Sequence, residues 1–282
     1  VSGAGAINVD YKTRTVEIEG ITLKEGDFIS LNGTTGEVYK GKVETKAAEV
    51  SGDFAALMDL CNKYTKLNVR TNADTPHDAE VARAFGASGI GLCRTEHMFF
   101  DAEKIVAMRE MILSPDVEGR RKALAKLLPF QKADFKGIFK AMDGCPVNVR
   151  LLDPPLHEFV PHDAKGQEEM AKAMGVTVQE IKKRVESLCE HNPMLGHRGC
   201  RLGNTYPEIT EMQTQAILGA AIELKKEGYD PHPEIMVPLT GILYEFEAQE
   251  KVIRDAAAAL FEKEGMEIPF KVGTCLLYTS PS

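Results

Sequence analysis

Three arginines lie where apolar, strand-like segments of the sequence end: Arg94, Arg150 and Arg198. Ligands of parallel α/β proteins bind at the carboxyl ends of the strands. Guanidinium groups form paired, charge-assisted hydrogen bonds with carboxylate and phosphate. One arginine after a strand is usually a surface ion pair, but three on successive strands, each near a glycine or proline, predict a site for a small anion that carries both groups.

Other candidate motifs do not support metal or nucleotide chemistry. His157-Glu158 and His162 are one residue too far apart for H-E-x-x-H, and Pro161 would break the helix that such a zinc motif needs. The glycines of 86–91 lead into a strand instead of from a strand into a helix, so they do not form a dinucleotide fingerprint. The residues therefore predict an anion-binding protein without naming its reaction.

The elements that must position the arginines alternate along the chain from residue 67 onward. The predicted strands are Leu67–Asn72, Ser88–Cys93, Pro146–Leu151, Met194–Gly199, Glu234–Pro238 and Ile268–Thr274. The predicted helices lie near 76–86, 102–143 (in pieces), 167–190, 207–226 and 242–264. This alternation predicts an α/β fold with a parallel sheet and right-handed crossovers, either doubly wound or a (β/α)8-type barrel, and the full barrel would need two more units.

The first part of the chain has a different pattern. Residues 1 to about 44 indicate β structure, with a hairpin in which Asn32-Gly33 joins 28–31 to 37–39. A helix is predicted over 46–65, and its apolar face comprises Val50, Phe54, Leu57, Met58, Cys61 and Tyr64.

Composition limits the classes of function. The 282 residues include 34 basic and 42 acidic side chains, a formal net charge of −8, which disfavours nucleic-acid binding because that needs a basic face. The sequence contains no run of eighteen uncharged apolar residues, so no membrane span is predicted. The six cysteines contain no C-x-x-C pair and are typical of reduced thiols in a cytoplasm-like compartment.

Four segments resemble the phosphoenolpyruvate-utilising enzyme family, and within it the dikinases. They are Thr71–Pro76 (TNADTP), Gly89–Phe99 (GIGLCRTEHMF), Leu151–Phe159 (LLDPPLHEF) and Asn192–Gly199 (NPMLGHRG). The resemblance runs from residue 1 to about residue 274. Enzyme I of the sugar phosphotransferase system and phosphoenolpyruvate synthase share the arginine-bearing strand ends, but the segments around Cys93 and after Asp153 favour the dikinases.

The resemblance implies an enzyme that interconverts ATP, pyruvate and phosphate with AMP, phosphoenolpyruvate and diphosphate through a phosphohistidine. It implies that Arg94, Arg150 and Arg198 bind pyruvate or phosphoenolpyruvate and the phosphoryl group in transit, and that Mg²⁺ is the cofactor. A glutamate that binds this metal is expected three residues after Thr274, but Leu277 stands there. No metal ligand is therefore expected in this chain, and the chain alone is expected to be inactive.

The resemblance also implies the domain organisation. Residues 1–47 are expected to be the C-terminal, β-rich part of a swivelling phosphohistidine domain, and 48–67 a linker helix. Residues 68–274 are expected to be a (β/α)8-type barrel truncated after about six strands, and 275–282 a foreign or frameshifted tail.

Thr75–Arg83 imitates the segment that surrounds the phosphorylated histidine of the family, but the upstream glycines are absent. His77 is therefore expected to be a solvated residue in the first turn of a helix, and the acceptor histidine to lie before Val1. The expected partners are pyruvate or phosphoenolpyruvate, the phosphohistidine of the swivelling domain and a second subunit, with neither nucleic acid nor membrane. Two alternatives stay open: an Enzyme I-like phosphotransferase and an anion-binding module without turnover.

Overall fold

The fold was examined in a computed structural model of the chain. It describes residues 7–18, 20–45, 51–99, 102–153, 155–189, 192 and 195–275. The chain divides into two compact units, residues 1–59 and residues 60–282.

The first unit contains two small antiparallel sheets. Strands β1 (Ile7–Asp10), β2 (Thr15–Ile18) and β3 (Ile21–Lys24) form a meander in chain order. Strands β4 (Ile29–Leu31) and β5 (Val38–Lys40) form the predicted hairpin. Its turn is closed by the backbone N–H of Gly36, which donates to the carbonyl oxygen of Asn32 at 2.8 Å.

Helix α1 runs from Gly52 to Tyr64. It lies within the predicted helix at 46–65, whose residues 46–50 are outside the described part of the chain. The apolar face is solvent-exposed, and Phe54, Leu57 and Tyr64 each leave more than half of their surface accessible. The spacing of the apolar residues thus predicts the helix correctly, but the apolar face of the helix is not buried.

The second unit is built on a parallel sheet of five strands within the described residues. They are β6 (Thr71–Asn72), β7 (Ile90–Arg94), β8 (Pro146–Arg150), β9 (His232–Val237) and β10 (Lys271–Thr274). Each pairs only with its neighbours in chain order. The strand order of a doubly wound sheet reverses part of the way along the sheet, whereas the described strands follow chain order and form an open sheet.

The predicted strand at Met194–Gly199 is wrong for the residues that the structure describes. Residues 195–198 form no strand, Gly199 begins a helix, and Met194 lies outside the described residues. Gly199 has a φ of +58°, which is incompatible with a strand. The backbone N–H groups of Gly199 and Cys200 donate to the carbonyl oxygens of Asp153 and Pro238 at 3.2 and 2.9 Å instead of to a neighbouring strand.

The helices connect and cover the strands. They are α2 (Pro76–Ala84), α3 (Ala102–Leu113), α4 (Val117–Ala141), α5 (Ala164–Met174), α6 (Val178–Leu188), α7 (Gly199–Thr205), α8 (Pro207–Lys226) and α9 (Leu243–Glu264). The helix predicted over 167–190 is two helices, because Gly175 takes a left-handed conformation (φ +67°) and ends α5. No helix in the described part of the chain is both long and apolar enough to cross a membrane.

One apolar core holds the sheet to its helices. Helices α4 and α8 pack side by side against β7, β8 and β9, and both Phe135 of α4 and Ile217 of α8 are fully buried there. The small residues Ala216 and Ala220 let α8 approach the sheet closely. This core fixes the strands whose carboxyl ends carry the arginines.

We expect Phe135→Ala to destabilise the second unit by about 3–5 kcal/mol, because it removes a buried ring and leaves a cavity. Phe85→Ala, at a half-exposed phenylalanine, is the matched control and should cost less than about 1 kcal/mol. Urea unfolding followed by far-ultraviolet circular dichroism measures both, since the chain has no tryptophan. Equal costs for the two substitutions would contradict this account of the core.

Candidate functional site

Two of the three arginines are side by side at the carboxyl end of the sheet. Arg94 ends β7 and Arg150 ends β8, and the two residues are direct partners in the register of these parallel strands. Residues paired in this way project to the same face. The sheet therefore places Arg94 and Arg150 side by side at its carboxyl end.

Two buried carboxylates hold Arg150. Its Nη2 donates to Oε1 of Glu96, and its Nη1 lies 3.0 Å from Oδ2 of Asp153. Both carboxylates belong to segments that directly follow a strand, and both are almost completely buried. Buried charges of this kind are stable only when they are paired, so the guanidinium of Arg150 has a fixed position before any ligand binds.

Arg198 reaches the same place without a strand. Its Nη2 lies 3.1 Å from Oδ2 of Asp153, and its Nε donates to the carbonyl oxygen of Asp153 at 3.1 Å. Asp153 is thus shared by Arg150 and Arg198. The three sequence-predicted arginines are brought together, two by strand register and the third by a side-chain bridge.

The backbone at Gly199 allows this bridge. A Cβ atom at Gly199 would lie 2.9 Å from Cβ of Leu239 and 3.1 Å from Oδ1 of Asp153, and its φ of +58° favours glycine. Nearby, Oε1 of the buried Gln213 accepts a hydrogen bond from the backbone N–H of Leu152 at 2.9 Å. These contacts fix the segment that carries Asp153.

Arg94 has a different environment. Its backbone N–H donates to Oδ1 of Asp74 at 2.6 Å, while its guanidinium nitrogen Nη1 lies 3.9 Å from Oδ2, beyond hydrogen-bond distance. Oδ2 of Asp74 is 2.8 Å from Nδ1 of His97. The Arg94 side chain is 37% exposed, compared with 20% and 19% for Arg150 and Arg198. Arg94 therefore has the most open guanidinium of the three.

Two cysteines near the arginines are inert at neutral pH. Burial, with the charges of Asp74 and Glu96 beside it, raises the pKa of the Cys93 thiol, which lies in β7 directly before Arg94. Burial also raises the pKa of Cys200. Neither thiol forms a thiolate at neutral pH, so neither provides a nucleophile.

The described residues do not provide a Mg²⁺ site. Among them, no group of three or more His, Cys, Asp or Glu side chains could hold a metal ion. Asp74 and Asp153 are occupied by the contacts above, and Oε2 of Glu96 is one buried oxygen without a described partner, whereas Mg²⁺ needs several oxygens in octahedral array. Leu277, at the position where a metal-binding glutamate is expected, lies outside the described residues.

His77, which resembles a phosphorylated histidine, lies elsewhere. It is exposed in the first turn of α2, where Oγ1 of Thr75 caps the helix by accepting from the backbone N–H of Asp78 at 3.1 Å. The structure therefore confirms the solvated first-turn position expected for His77.

Sequence reasoning on the arginines missed their partners. Asp74, Glu96, His97 and Asp153 all lie in the segments quoted above as motifs, but no role was predicted for them individually. The available signal was position: each follows the end of a strand within four residues, where polar side chains of parallel sheets converge.

The site is a cluster of three arginines at the carboxyl edge of a parallel sheet, two of them held by buried carboxylates, and it suits an anion with more than one charged group. Residues 48–278 match the family described as "PEP-utilising enzyme, PEP-binding domain", and the chain therefore belongs to this family. This confirms the resemblance seen in the strand-end motifs.

Curated relatives with high similarity are pyruvate, phosphate dikinases. The protein of Clostridium symbiosum is 52% identical over 98% of this chain and 32% of its own length. That of Giardia intestinalis is 54% identical over 98% of this chain and 31% of its own length. The protein named pyruvate, phosphate dikinase 1, chloroplastic, of Oryza sativa subsp. japonica is 50% identical over 98% of this chain and 30% of its own length. The chain thus spans about a third of the length of these relatives.

We expect Asp153→Asn to destabilise the second unit by about 3–5 kcal/mol, because it removes the shared partner of two partly buried guanidinium groups. Glu169→Gln, at an exposed carboxylate whose lysine partner is 4.0 Å away, is the control and should cost less than about 0.5 kcal/mol. Urea midpoints compare the two. A cost below about 1 kcal/mol for Asp153→Asn would show that Asp153 does not hold the two arginines.

Proposed function

We propose that residues 60–275 bind phosphoenolpyruvate and pyruvate as the phosphoenolpyruvate-binding part of a pyruvate, phosphate dikinase. The main support for the proposal is that Arg94, Arg150 and Arg198 lie at the same end of the sheet. The family match and about 50% identity to dikinases support it.

The chemistry of the ligand fits the charges of the site. Phosphoenolpyruvate carries a carboxylate and a phosphoryl group, and pyruvate develops negative charge on its enolate oxygen during transfer. Phosphoryl transfer depends mainly on positioning and on neutralising oxygen charge. Arg150 and Arg198, fixed by buried carboxylates, would orient the ligand, and the more exposed Arg94 would meet the group in transit.

The proposed reaction moves a phosphoryl group from a histidine nitrogen to the enolate oxygen of pyruvate. The P–N bond breaks and leaves its electron pair on the histidine nitrogen, the P–O bond forms, and the methyl group of pyruvate gives its proton to a general base. The raised pKa values of Cys93 and Cys200 make these thiols unsuitable as the base. Turnover by this chain alone is not expected, because Leu277 stands where the resemblance requires a glutamate.

The domain roles belong to the same proposal. Residues 1–47 would be the C-terminal part of the swivelling phosphohistidine domain, 48–67 a linker helix, 68–274 part of a (β/α)8-type barrel, and 275–282 a foreign or frameshifted tail. The chain-order pairing of β6 to β10 supports the barrel. The phosphohistidine partner, Mg²⁺ as cofactor, homodimerisation and a cytoplasmic location are proposed from the resemblance. An Enzyme I-like phosphotransferase is not favoured, since the relatives quoted are dikinases.

We expect Arg94→Ala to weaken phosphoenolpyruvate binding at least about tenfold, because it removes charge-assisted hydrogen bonds to the ligand. Equilibrium dialysis of the 282-residue chain with labelled phosphoenolpyruvate measures the dissociation constant. Arg254→Ala, at an exposed arginine of α9 that pairs with Glu250, should stay within twofold of the unaltered chain. Absence of binding by the unaltered chain, or equal affinity in both variants, would contradict the proposed function.

A further inference from the structure

His97 lies at the open side of the arginine cluster and is held there by Asp74. Asp74 follows β6, and its two oxygens serve different partners: Oδ1 accepts the backbone N–H of Arg94 at 2.6 Å, and Oδ2 lies 2.8 Å from Nδ1 of His97. The same Oδ2 is 3.9 Å from the guanidinium of Arg94. One carboxylate therefore places an imidazole and a guanidinium next to each other.

The pairing with Asp74 also orients the ring. A carboxylate only accepts hydrogen bonds, so Nδ1 of His97 carries the proton that is shared with Asp74. Nε2, on the opposite side of the ring, has no contact in the described part of the chain, and the side chain is 47% exposed. The ring thus has a fixed orientation and one nitrogen free to meet a ligand.

The charges differ between the two sides of the cluster. Among the described residues, Arg150 and Arg198 face two buried carboxylates, Glu96 and Asp153, which balance their charges. Arg94 and His97 share one carboxylate, that of Asp74. When both ring nitrogens carry a proton, Nδ1 donates to Asp74 and Nε2 can donate to a phosphoryl oxygen. The side chains of Arg94 and His97 are also the more exposed ones, 37% and 47%, so an incoming phosphoryl group has access to their donors.

We propose that His97 is a binding residue selective for the phosphoryl group, that its Nε2 donates to a phosphoryl oxygen, and that Asp74 positions it. This inference rests on the proposed function and extends it, because it assigns phosphoryl recognition to the Arg94–His97 side of the site. It also predicts selectivity. A ligand that has only the carboxylate should not depend on His97.

Two substitutions separate the nitrogens of the ring. His97→Asn keeps an amide near the position of Nδ1, within reach of Asp74, but has nothing at Nε2. His97→Gln extends its amide to the position of Nε2 but gives up the Nδ1 contact. His77→Asn is the matched control, because His77 is an exposed histidine of the same unit and makes no hydrogen bond or ion pair with the cluster in the described part of the chain.

Isothermal titration calorimetry of the 282-residue chain with phosphoenolpyruvate and, separately, with pyruvate tests the proposal. His97→Asn should weaken phosphoenolpyruvate binding about tenfold, the effect of one hydrogen bond to a charged group, and leave pyruvate binding within twofold. His97→Gln should bind phosphoenolpyruvate more tightly than His97→Asn, and His77→Asn should bind both ligands normally.

The outcomes separate this inference from the proposed function. If Arg94→Ala weakens phosphoenolpyruvate binding as expected while the affinity of His97→Asn stays within twofold of that of the unaltered chain, the inference is wrong and the proposed function stands. An equal loss of both ligands in His97→Asn would overturn phosphoryl selectivity and assign His97 a structural role. If the unaltered chain binds no phosphoenolpyruvate, both fail.

Discussion

The anion site depends on the contact between one buried carboxylate, that of Asp153, and two arginines. Arg150 and Arg198 come from segments about 48 residues apart in the sequence, and Oδ2 of Asp153 lies within 3.1 Å of a guanidinium nitrogen of each. Without a carboxylate between them, two cations at the end of a sheet would repel each other and turn outward. With it, the site has its geometry before a ligand arrives, and a preorganised site loses little free energy to reorganisation on binding.

Much of the surrounding structure serves this contact. The apolar core beneath β7 and β8 fixes the strand ends, and the left-handed turn at Gly199 lets the chain pass close enough to Asp153 for Arg198 to reach it. Oε1 of Gln213 fixes the backbone one residue before Asp153. The paired carboxylates hold Arg150 and Arg198 rigid, but they also reduce the net positive charge that these arginines offer to a ligand. Arg94, which is less neutralised, and its neighbour His97 therefore matter more for binding the ligand.

The alternation of strands and helices could be predicted from the sequence because period-2 and period-3.6 patterns are local. The positions of Arg94 and Arg150 followed from strand ends, and their side-by-side arrangement follows from parallel register. The segment at Met194–Gly199 was predicted wrongly as a strand because a short apolar run next to a glycine does not reveal a positive φ at Gly199. Asp74, Glu96 and Asp153 were not identified as partners because their contacts with Arg94, Arg150 and Arg198 join residues 20, 54 and 45 positions apart and leave no periodic signal in one sequence.

The most direct test of a site preorganised by Asp153 is a pair of crystal structures of the chain, one without ligand and one soaked with phosphoenolpyruvate. The account predicts that the carboxylate and phosphoryl groups lie among Arg94, Arg150 and Arg198, and that Asp153 keeps its contacts to Arg150 and Arg198 in both structures. Phosphoenolpyruvate bound elsewhere, or arginines that reach it only after leaving Asp153, would contradict the account.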